Sequence, residues 1–365
     1  NFGLITYALD RPIAGIGSYT RTLVGGLRTV GCEPVLLNAS SLNPGESGIN
    51  LRGAAHVPGL LTLGQFQIAK QVRRLHLELV HDPNGLFPFY LVPCKTVLTL
   101  HDAFPLVHPQ TSAALEKLVY RVWLPIATQK ADAVITVSQH SKEDICRYFP
   151  CVKEKLTVIP VPNNPRFHPL REAEITPVLS RLRIPQPYIL YVGSLEPRKN
   201  LIRLLKAYAL LRESSPGWTL VVVGAKNHWK NTPIKATVDA LNLGEYVYFT
   251  GFVQEEDLPA IYNGADLFVF PSLYEGFGMP PLEAMACGTP VITSNVSSLP
   301  EVVGDAAIMI DPYDVDAIAA AMSDVLNDKS LQEDLSRRGL IRAAQFSWER
   351  MAQETIDVYK KVLNG

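Results

Sequence analysis

The chain has 365 residues, of which 47% are hydrophobic and 19% charged, a composition that excludes a disordered or collagen-like protein. At roughly 100–200 residues per domain, this length favours two or three domains over one. Lys and Arg (34) nearly balance Asp and Glu (35), and a net charge of −1 argues against non-specific binding of nucleic acid. The cysteine count of five is odd and includes no Cys-x-x-Cys pair, so we expect no disulfide framework and a reducing, cytoplasmic location.

Short runs of β-branched and other apolar residues alternate with helical stretches along the whole chain. Continuous apolar strands separated by helices are typical of parallel sheets that are buried on both faces. Twelve strands are too many for one ordinary open sheet, so the pattern predicts an α/β protein with two doubly wound, Rossmann-like domains. The predicted strands are 2–8, 34–38, 79–81, 96–100, 133–137, 156–160, 188–192, 220–223, 247–249, 267–270, 291–293 and 307–310.

Prolines are concentrated between residues 160 and 187. Because proline fixes the backbone and removes an amide donor, we predict a semi-rigid linker over 166–187. The first domain is then expected to span 1–165 and the second 188–345. The last stretch, 346–365, has a helical pattern of apolar residues and is expected to join the first domain.

The strongest candidate site follows the predicted strand 267–270, where a glycine-rich loop leads to a helix that two prolines open. Proline is favoured in the first helical turn, and the free backbone amides of the preceding loop can donate hydrogen bonds to a phosphate or a sugar hydroxyl. Glu275 and Glu283 bracket this loop and can accept hydrogen bonds from hydroxyl groups. The alternative is a tight turn in which Glu283 only complements the helix dipole. The loop residues concerned are Gly276, Phe277, Gly278 and Met279.

A second candidate follows the strand 188–192. There the loop residues Gly193 and Ser194 lead to the adjacent cations Arg198 and Lys199 at the start of a helix. Fixed cations and helix amides stabilise the charge of a departing nucleoside diphosphate without a metal ion. The alternative is a solvated basic turn.

Gly15 and Gly17 precede the first predicted helix. They do not form a dinucleotide fingerprint, because Thr20 stands where the third glycine would be needed. His101 ends the strand 96–100, where it can hydrogen-bond a hydroxyl or shuttle a proton, although a lone histidine is as often structural. We expect His81, one strand earlier, only to line the crevice.

These motifs resemble those of the retaining glycosyltransferases of family four, which have the two-domain GT-B fold with a cleft between the domains. Glu275 and Glu283 match the family's Glu-x7-Glu motif, and the sequence around them is close to the one usual in the family. The resemblance implies that Glu275 holds hydroxyls of the donor sugar and Glu283 the ribose. The amides from Phe277 onward would contact the sugar and the phosphates.

The same resemblance implies that Lys199, together with Arg198, binds the pyrophosphate of the donor. Many family members carry an arginine where this chain has Ser194, so either Arg198 substitutes or the phosphate clamp differs.

The resemblance also implies roles for positions elsewhere in the chain. Gly17 would let the backbone approach the diphosphate from the first domain, and His101 would lie against the donor sugar. The backbone near Val253 would read the base, with Lys226 close by, next to the glycine turn at Gly224.

The resemblance implies a hexosyltransferase that retains anomeric configuration and acts in polysaccharide biosynthesis. Its donor would be a nucleoside-diphosphate sugar, UDP-glucose first and GDP-mannose second, and its acceptor a glycan or a lipid-linked saccharide. The alternatives are a sugar-nucleotide 2-epimerase of the same fold and a catalytically silent nucleotide-sugar-binding protein. No metal or other cofactor is expected, because the one metal-like pair, Asp314 and Asp316, opens a helix where acids are favoured anyway.

The first 180 residues carry 17 basic and 13 acidic residues. Lys117, Arg121, Trp123 and Lys130 near one helix are compatible with a lipid-linked acceptor at the inner face of a membrane, although ordinary solvated helix charge also explains them. No apolar run approaches the roughly 18 residues needed to span a bilayer.

Overall fold

A computed structural model of the protein describes residues 1–6, 15–37, 49, 63–85, 89–110, 117–224 and 233–365. The chain divides into two compact units. The first unit comprises residues 1–162 and 346–365, and the second comprises residues 163–345.

The first unit is built on a six-stranded parallel sheet whose strands are nearly all apolar and buried. Its elements are β1 (Phe2–Ile5), α1 (Ile16–Thr29), β2 (Val35–Leu37), α2 (Leu63–Leu75), β3 (Leu79–Asp82), β4 (Lys95–Thr99), α3 (Phe104–Val107), a π-helical segment (Val119–Trp123), α4 (Leu124–Lys130), β5 (Ala133–Thr136), α5 (Gln139–Tyr148), a 3-10 turn (Pro150–Lys155) and β6 (Leu156–Val158). The strand order is β2-β1-β3-β4-β5-β6, with β1 paired in parallel to both β2 and β3. The order therefore reverses between β1 and β3.

The second unit repeats this design with a second six-stranded parallel sheet. Its elements are α6 (Glu172–Leu182), β7 (Tyr188–Val192), a 3-10 turn (Pro197–Lys199), α7 (Leu201–Ser214), β8 (Thr219–Val223), α8 (Pro233–Ala240), β9 (Val247–Gly251), α9 (Leu258–Asn263), β10 (Leu267–Phe270), α10 (Met279–Ala286), β11 (Val291–Ser294), α11 (Leu299–Val303), β12 (Ile308–Ile310), α12 (Val315–Asn327) and α13 (Lys329–Ala343). The strand order is β12-β11-β10-β7-β8-β9, so it reverses between β7 and β10. The prediction of two doubly wound α/β domains is confirmed.

The last helix, α14 (Trp348–Asn364), packs in the first unit against α1. Ser347 caps it by accepting a hydrogen bond from the amide of Arg350. The Trp348 ring lies so close to Gly25 that a Cβ at that glycine would come within 2.8 Å of it. The contact requires glycine on the facing surface of α1.

The predicted linker at 166–187 instead contains a helix of the second unit. Helix α6 buries Ile175 and Leu179 and packs against α9, although Pro177 lies inside it. At its start the Glu174 carboxylate accepts a hydrogen bond from the Arg171 amide at 3.2 Å. The high proline content concealed this short amphipathic stretch, because a proline in the first two turns removes only one intrahelical donor.

Candidate functional site

The candidate site lies at the edge of the second sheet where the parallel strands end. Strands β7 and β10 are neighbours, with Leu267 opposite Ile189 and Phe268 opposite Leu190, so the loops that follow them meet at one edge. Chain connections leave this point in opposite directions, which makes it the switch point of the sheet. Ligands of open α/β sheets bind in the crevice at such a point.

Glu275, in the loop after β10, is held by a set of polar contacts at this edge. Its Oε1 accepts hydrogen bonds from Lys199 Nζ and from Ser272 Oγ, both at 2.6 Å. Its Oε2 lies 3.3 Å from Arg198 Nη1. The two cations lie far from Glu275 in the sequence, and the structure brings all three together as one ion-pair cluster in which Glu275 and Lys199 are buried and Arg198 is half-buried.

Opposing effects set the ionisation of Glu275. Burial raises the pKa of its carboxyl group, but the facing cations Lys199 and Arg198 outweigh burial, so the pKa ends below its usual value. The carboxylate is therefore ionised at neutral pH. Lys199 has three ammonium protons, and besides this carboxylate it faces the Phe270 ring at 5.1 Å from the ring centroid. Its remaining donors are available to a bound anion.

The loop that carries Glu275 is hydrogen-bonded to two serines that follow the neighbouring strand β11. Ser297, after β11, accepts a hydrogen bond from the Glu275 amide at 2.8 Å and donates one to the Glu275 carbonyl at 2.6 Å. Ser298 donates to the carbonyls of Glu275 and Phe277 at 2.9 and 2.5 Å. Ser297 adopts φ of 61°, a costly conformation for a residue with a Cβ, which persists only where surrounding contacts enforce it.

Two loops of the site approach too closely for side chains. Gly224, after β8, has φ of 102°, and a Cβ there would lie 2.6 Å from the carbonyl oxygen of Gly193. Gly278 has φ of 124°, and its Cβ would lie 2.9 Å from Leu299. Both glycines are therefore required by backbone geometry, and Gly278 directly precedes α10, whose first turn contains Pro280.

Glu283, on α10, is half-buried and makes a different contact. Its Oε2 accepts a hydrogen bond from the Tyr262 hydroxyl of α9 at 2.9 Å. Burial raises the pKa of Glu283 to about 7, although the hydrogen bond from Tyr262 acts in the opposite direction. The two acids of the motif thus differ near neutral pH, because Glu275 is a fixed anion and Glu283 titrates.

The remaining predicted residues of the second unit are spread around this edge. Ser194 is exposed, and its carbonyl accepts a hydrogen bond from the Tyr191 hydroxyl at 3.0 Å. Gly276 and Met279 are half-buried in the loop, and Val253 is buried just beyond β9. The predicted residue Lys226 lies outside the described part of the chain.

The first unit contributes three predicted residues at the corresponding edge of its own sheet. Gly15 has φ of 82° and precedes α1, in which Gly17 is buried. His101, after β4, lies 2.9 Å through Nε2 from the Pro83 carbonyl, which can only accept, so Nε2 carries the proton. The Tyr19 ring packs edge-on against the imidazole. Burial lowers the pKa of His101, although the Pro83 carbonyl and Asp82 oppose this, and the neutral ring has Nδ1 as its acceptor.

His81 does not line a crevice, and that prediction is wrong. Its side chain is fully buried, with Nδ1 2.7 Å from the Tyr359 hydroxyl and Nε2 2.8 Å from Thr99 Oγ1. Burial lowers the pKa of His81 to about 3, so the ring is neutral. It joins α14 to the first sheet.

Asp314 caps α12, as the sequence indicated, by accepting a hydrogen bond from the Ala317 amide at 2.9 Å. Within the described ranges, no three His, Cys, Asp or Glu side chains are grouped as metal ligands. In the same part of the chain, no helix has the length and apolar character needed to cross a bilayer.

Several residues that organise the site are not evident from the sequence. Tyr262 lies 21 residues before its partner Glu283, and Ser297 lies 22 residues after Glu275. Asn200 has φ of 62° and donates from Nδ2 to the carbonyls of Pro271 and Pro312, which ties the loop after β7 to two others. The only sequence signal for Ser297 and Asn200 is their position after strands of one sheet, and Tyr262, inside α9, has no such signal.

Two family models match most of the chain. The family described as Glycosyltransferase Family 4 matches residues 13–167, and the family described as Glycosyl transferases group 1 matches residues 180–342. The boundary between the two matches falls near the division between the two units.

Curated relatives support the same assignment. The O-antigen chain mannosyltransferase B of Escherichia coli is 39% identical over 289 residues, covering 77% of this chain and 74% of that protein. The serotype-specific mannosyltransferase WbdA of Escherichia coli is 32% identical over 279 residues, which cover 75% of this chain but 34% of that protein.

Solved structures share the fold across the whole length. Sucrose-phosphate synthase from Thermosynechococcus elongatus has a TM-score of 0.80 at 24% identity, covering 100% of this chain and 99% of that one. Anabaena HepE, solved with UDP and glucose, has a TM-score of 0.81 at 19% identity, with 99% of each chain covered. At these identities the likeness concerns the fold alone.

Proposed function

Since the chain belongs to glycosyltransferase family 4 and is a hexosyltransferase, we propose that it transfers its hexose with retention of configuration from a nucleoside-diphosphate sugar held by the second unit. The acceptor is a glycan or a lipid-linked saccharide. The observation that carries this proposal is the buried cluster at the switch point, where an ionised carboxylate and two cations lie together.

The donor is proposed to bind along the edge formed by the loops after β7 and β10. Glu275 accepts hydrogen bonds from sugar hydroxyls, and Lys199 and Arg198 offset the charge of the pyrophosphate. Glu283, at the other end of the loop, accepts from the ribose through the oxygen that Tyr262 does not occupy. The loop amides from Gly276 to Met279 contact the sugar and the phosphates.

The transfer itself needs no protein nucleophile. The acceptor oxygen bonds to the anomeric carbon on the face from which the diphosphate leaves, while the carbon–oxygen bond to the phosphate breaks. The acceptor's proton passes to a phosphate oxygen, so the products are the glycoside and the nucleoside diphosphate. Lys199 and Arg198 stabilise the charge that develops on the leaving group, which is an electrostatic contribution made mainly in the transition state.

Residues of the first unit are also proposed to contact the donor. His101 presents Nδ1 as an acceptor to a sugar hydroxyl, since its Nε2 proton is engaged by Pro83. The backbone at Gly15 and Gly17 approaches the diphosphate, whereas the backbone near Val253, with Lys226, contacts the base.

The two relatives named above are both mannosyltransferases, which favours mannose as the transferred hexose. A thermal-shift panel of GDP-mannose, UDP-glucose and their free nucleotides tests this, since a ligand that binds the folded state raises its melting temperature by mass action. A shift with one sugar nucleotide, larger than with its free nucleotide, identifies the donor. No shift with any sugar nucleotide contradicts donor binding.

Turnover of the identified donor tests the assigned cluster. We expect Glu275→Ala and Lys199→Ala each to lower transfer by about 10²-fold or more, the loss typical of one electrostatic contact in a transition state. Lys235→Ala is the matched control, because it breaks an exposed ion pair with Asp239 in the same unit. Near-control turnover in either variant contradicts the assignment of that residue.

The reaction is also proposed to be metal-independent, because the fixed cations neutralise the diphosphate. Activity should persist after dialysis against EDTA, and loss of activity that Mn²⁺ restores contradicts this. The epimerase and the silent binding protein are not favoured, because both relatives are named as transferases. Epimerisation of the donor without an acceptor would revive the first of these alternatives.

A further inference from the structure

Helix α2 of the first unit exposes an unusual face. Its inner side buries Ile68, Ala69 and Val72 in the core of the unit. Its outer side carries Leu63, Phe66, Lys70, Arg73 and Arg74, which fall within a stripe of about 100° at 100° per residue. The side chains of Leu63 and Phe66 are 62% and 66% exposed. Large apolar residues at such exposure, interleaved with cations, indicate a contact surface.

A second helical segment, Val119–Trp123 with α4, has the same character. It exposes Val122 to 45%, and the preceding Leu118 is 54% exposed. Lys117, Arg121 and Lys130 are the charged residues from 117 to 130, and neither this stretch nor α2 contains an Asp or a Glu. None of its cations, and none of those on α2, is ion-paired with another residue in the described part of the chain.

Both segments lie on the same face of the first sheet. Ile68 and Val72 of α2 and Leu124 and Ala127 of α4 belong to one core cluster, so the two helices bury their inner sides against the same layer. Their outer sides therefore face away from the sheet in the same direction. Together they present six cations and four exposed apolar side chains without a single acid.

We propose that these outer sides form a docking surface for a lipid bilayer that carries anionic headgroups. Exposed Leu, Phe and Val side chains enter the interface, while Lys and Arg reach the headgroups with their apolar stems along the same surface. Because this surface carries cations and no acids, it favours an anionic partner. The apolar side chains between the cations favour a bilayer over a soluble polyanion. The proposal deepens the proposed function, on which it rests, by bringing the first unit to a membrane where a lipid-linked saccharide is presented.

Vesicle sedimentation of the full chain tests this surface. We expect binding to vesicles of equimolar phosphatidylcholine and phosphatidylglycerol, weakened by salt, and little binding to phosphatidylcholine alone. At about 1 kcal/mol per cation near an anionic surface, the double variant Arg73→Gln/Arg74→Gln should bind about 30-fold more weakly. Phe66→Ser should weaken binding as well, since it removes an inserted ring.

The control is Lys360→Gln/Lys361→Gln, an exposed pair on α14, a helix of the same unit that also carries acids. This variant should bind as the unaltered chain does. Failure of the unaltered chain to sediment with acidic vesicles, or equal binding by the α2 variant, overturns the proposal. So does capture by soluble polyglutamate without vesicle binding, which would indicate an acidic macromolecule instead.

Transfer to a water-soluble glycan separates this proposal from the proposed function. The α2 variants should keep that activity, since their residues lie outside the donor site. If the unaltered chain transfers hexose but ignores vesicles, only the docking surface is refuted. If it binds vesicles but transfers to no acceptor, the proposed function fails instead.

Discussion

Breaking the ion pair between Lys199 and Glu275 should destabilise the second unit, and unequally from the two sides. The side chains are 10% and 9% exposed, and their charged atoms lie 2.6 Å apart. Removing one partner of a buried pair leaves an uncompensated charge and costs about 3–5 kcal/mol. Without Lys199, Glu275 keeps Arg198 at 3.3 Å and Ser272 at 2.6 Å. Without the charge on Glu275, Lys199 keeps only the Phe270 ring among these contacts.

Lys199→Met should therefore cost about 3 kcal/mol or less, and Glu275→Gln a value towards about 5 kcal/mol. Native-state hydrogen exchange of peptides from β7 and β10 measures the opening free energy of this unit separately from that of the first. The double variant should cost less than the sum of the single variants, by roughly 0.5–3 kcal/mol, because the two residues share one interaction.

The exposed pair Lys235 and Asp239 supplies the control, since its side chains are 39% and 57% exposed. Asp239→Asn should cost no more than about 0.5 kcal/mol. If Glu275→Gln costs no more than Asp239→Asn, or if Lys199→Met costs more than Glu275→Gln, the reasoning from burial and residual partners is wrong.

Three further predictions concern other parts of the chain. Glu283→Gln should raise the free energy of unfolding at pH 8 but not at pH 4.5. Burial raises the pKa of Glu283 from its usual 4.5 to about 7, so stability falls as the pH rises between these values, where the unfolded state releases the proton and the folded state keeps it, and the loss is complete at pH 8; a pH-independent effect would argue against it. Tyr359→Phe should cost about 1–3 kcal/mol in urea unfolding by leaving His81 Nδ1 without its partner, and an unchanged midpoint would refute this. Gly224→Ala should lower the melting temperature of the second unit, since its Cβ would meet a carbonyl oxygen at 2.6 Å, whereas Gly217→Ala, with no neighbouring atom within 4 Å, should not.

The sequence predicted most of the framework because parallel strands buried on both faces leave a continuous apolar signal. All twelve strands form close to their predicted places. The same property explains the error at His81. Where both faces of a strand are buried, alternation does not distinguish a residue that faces solvent from one that faces packed interior. His81 proved to be enclosed between Tyr359 and Thr99.

The charged residues of the candidate site could be named from the sequence, but not their pairing. Glu275 and Lys199 are 76 residues apart and meet because β7 and β10 become neighbours, which depends on the strand order of the whole sheet. The roles of Ser297 and Tyr262 were invisible for the same reason. Ser297 acts through two hydrogen bonds to Glu275 and Tyr262 through one to Glu283, and neither residue type is distinctive in a sequence.

Helix α14 makes the order of synthesis matter to this molecule. Residues 163–345 hold all the strands of the second unit, so that unit is made from one continuous stretch of the chain and needs no later segment to complete it. The first unit has every strand by residue 158, yet His81 waits for Tyr359, 278 positions downstream, and Gly25 waits for Trp348. The part made first is thus the last to be completed, and until then the surface of α1 that receives α14 stays open to chaperones or to misassembly.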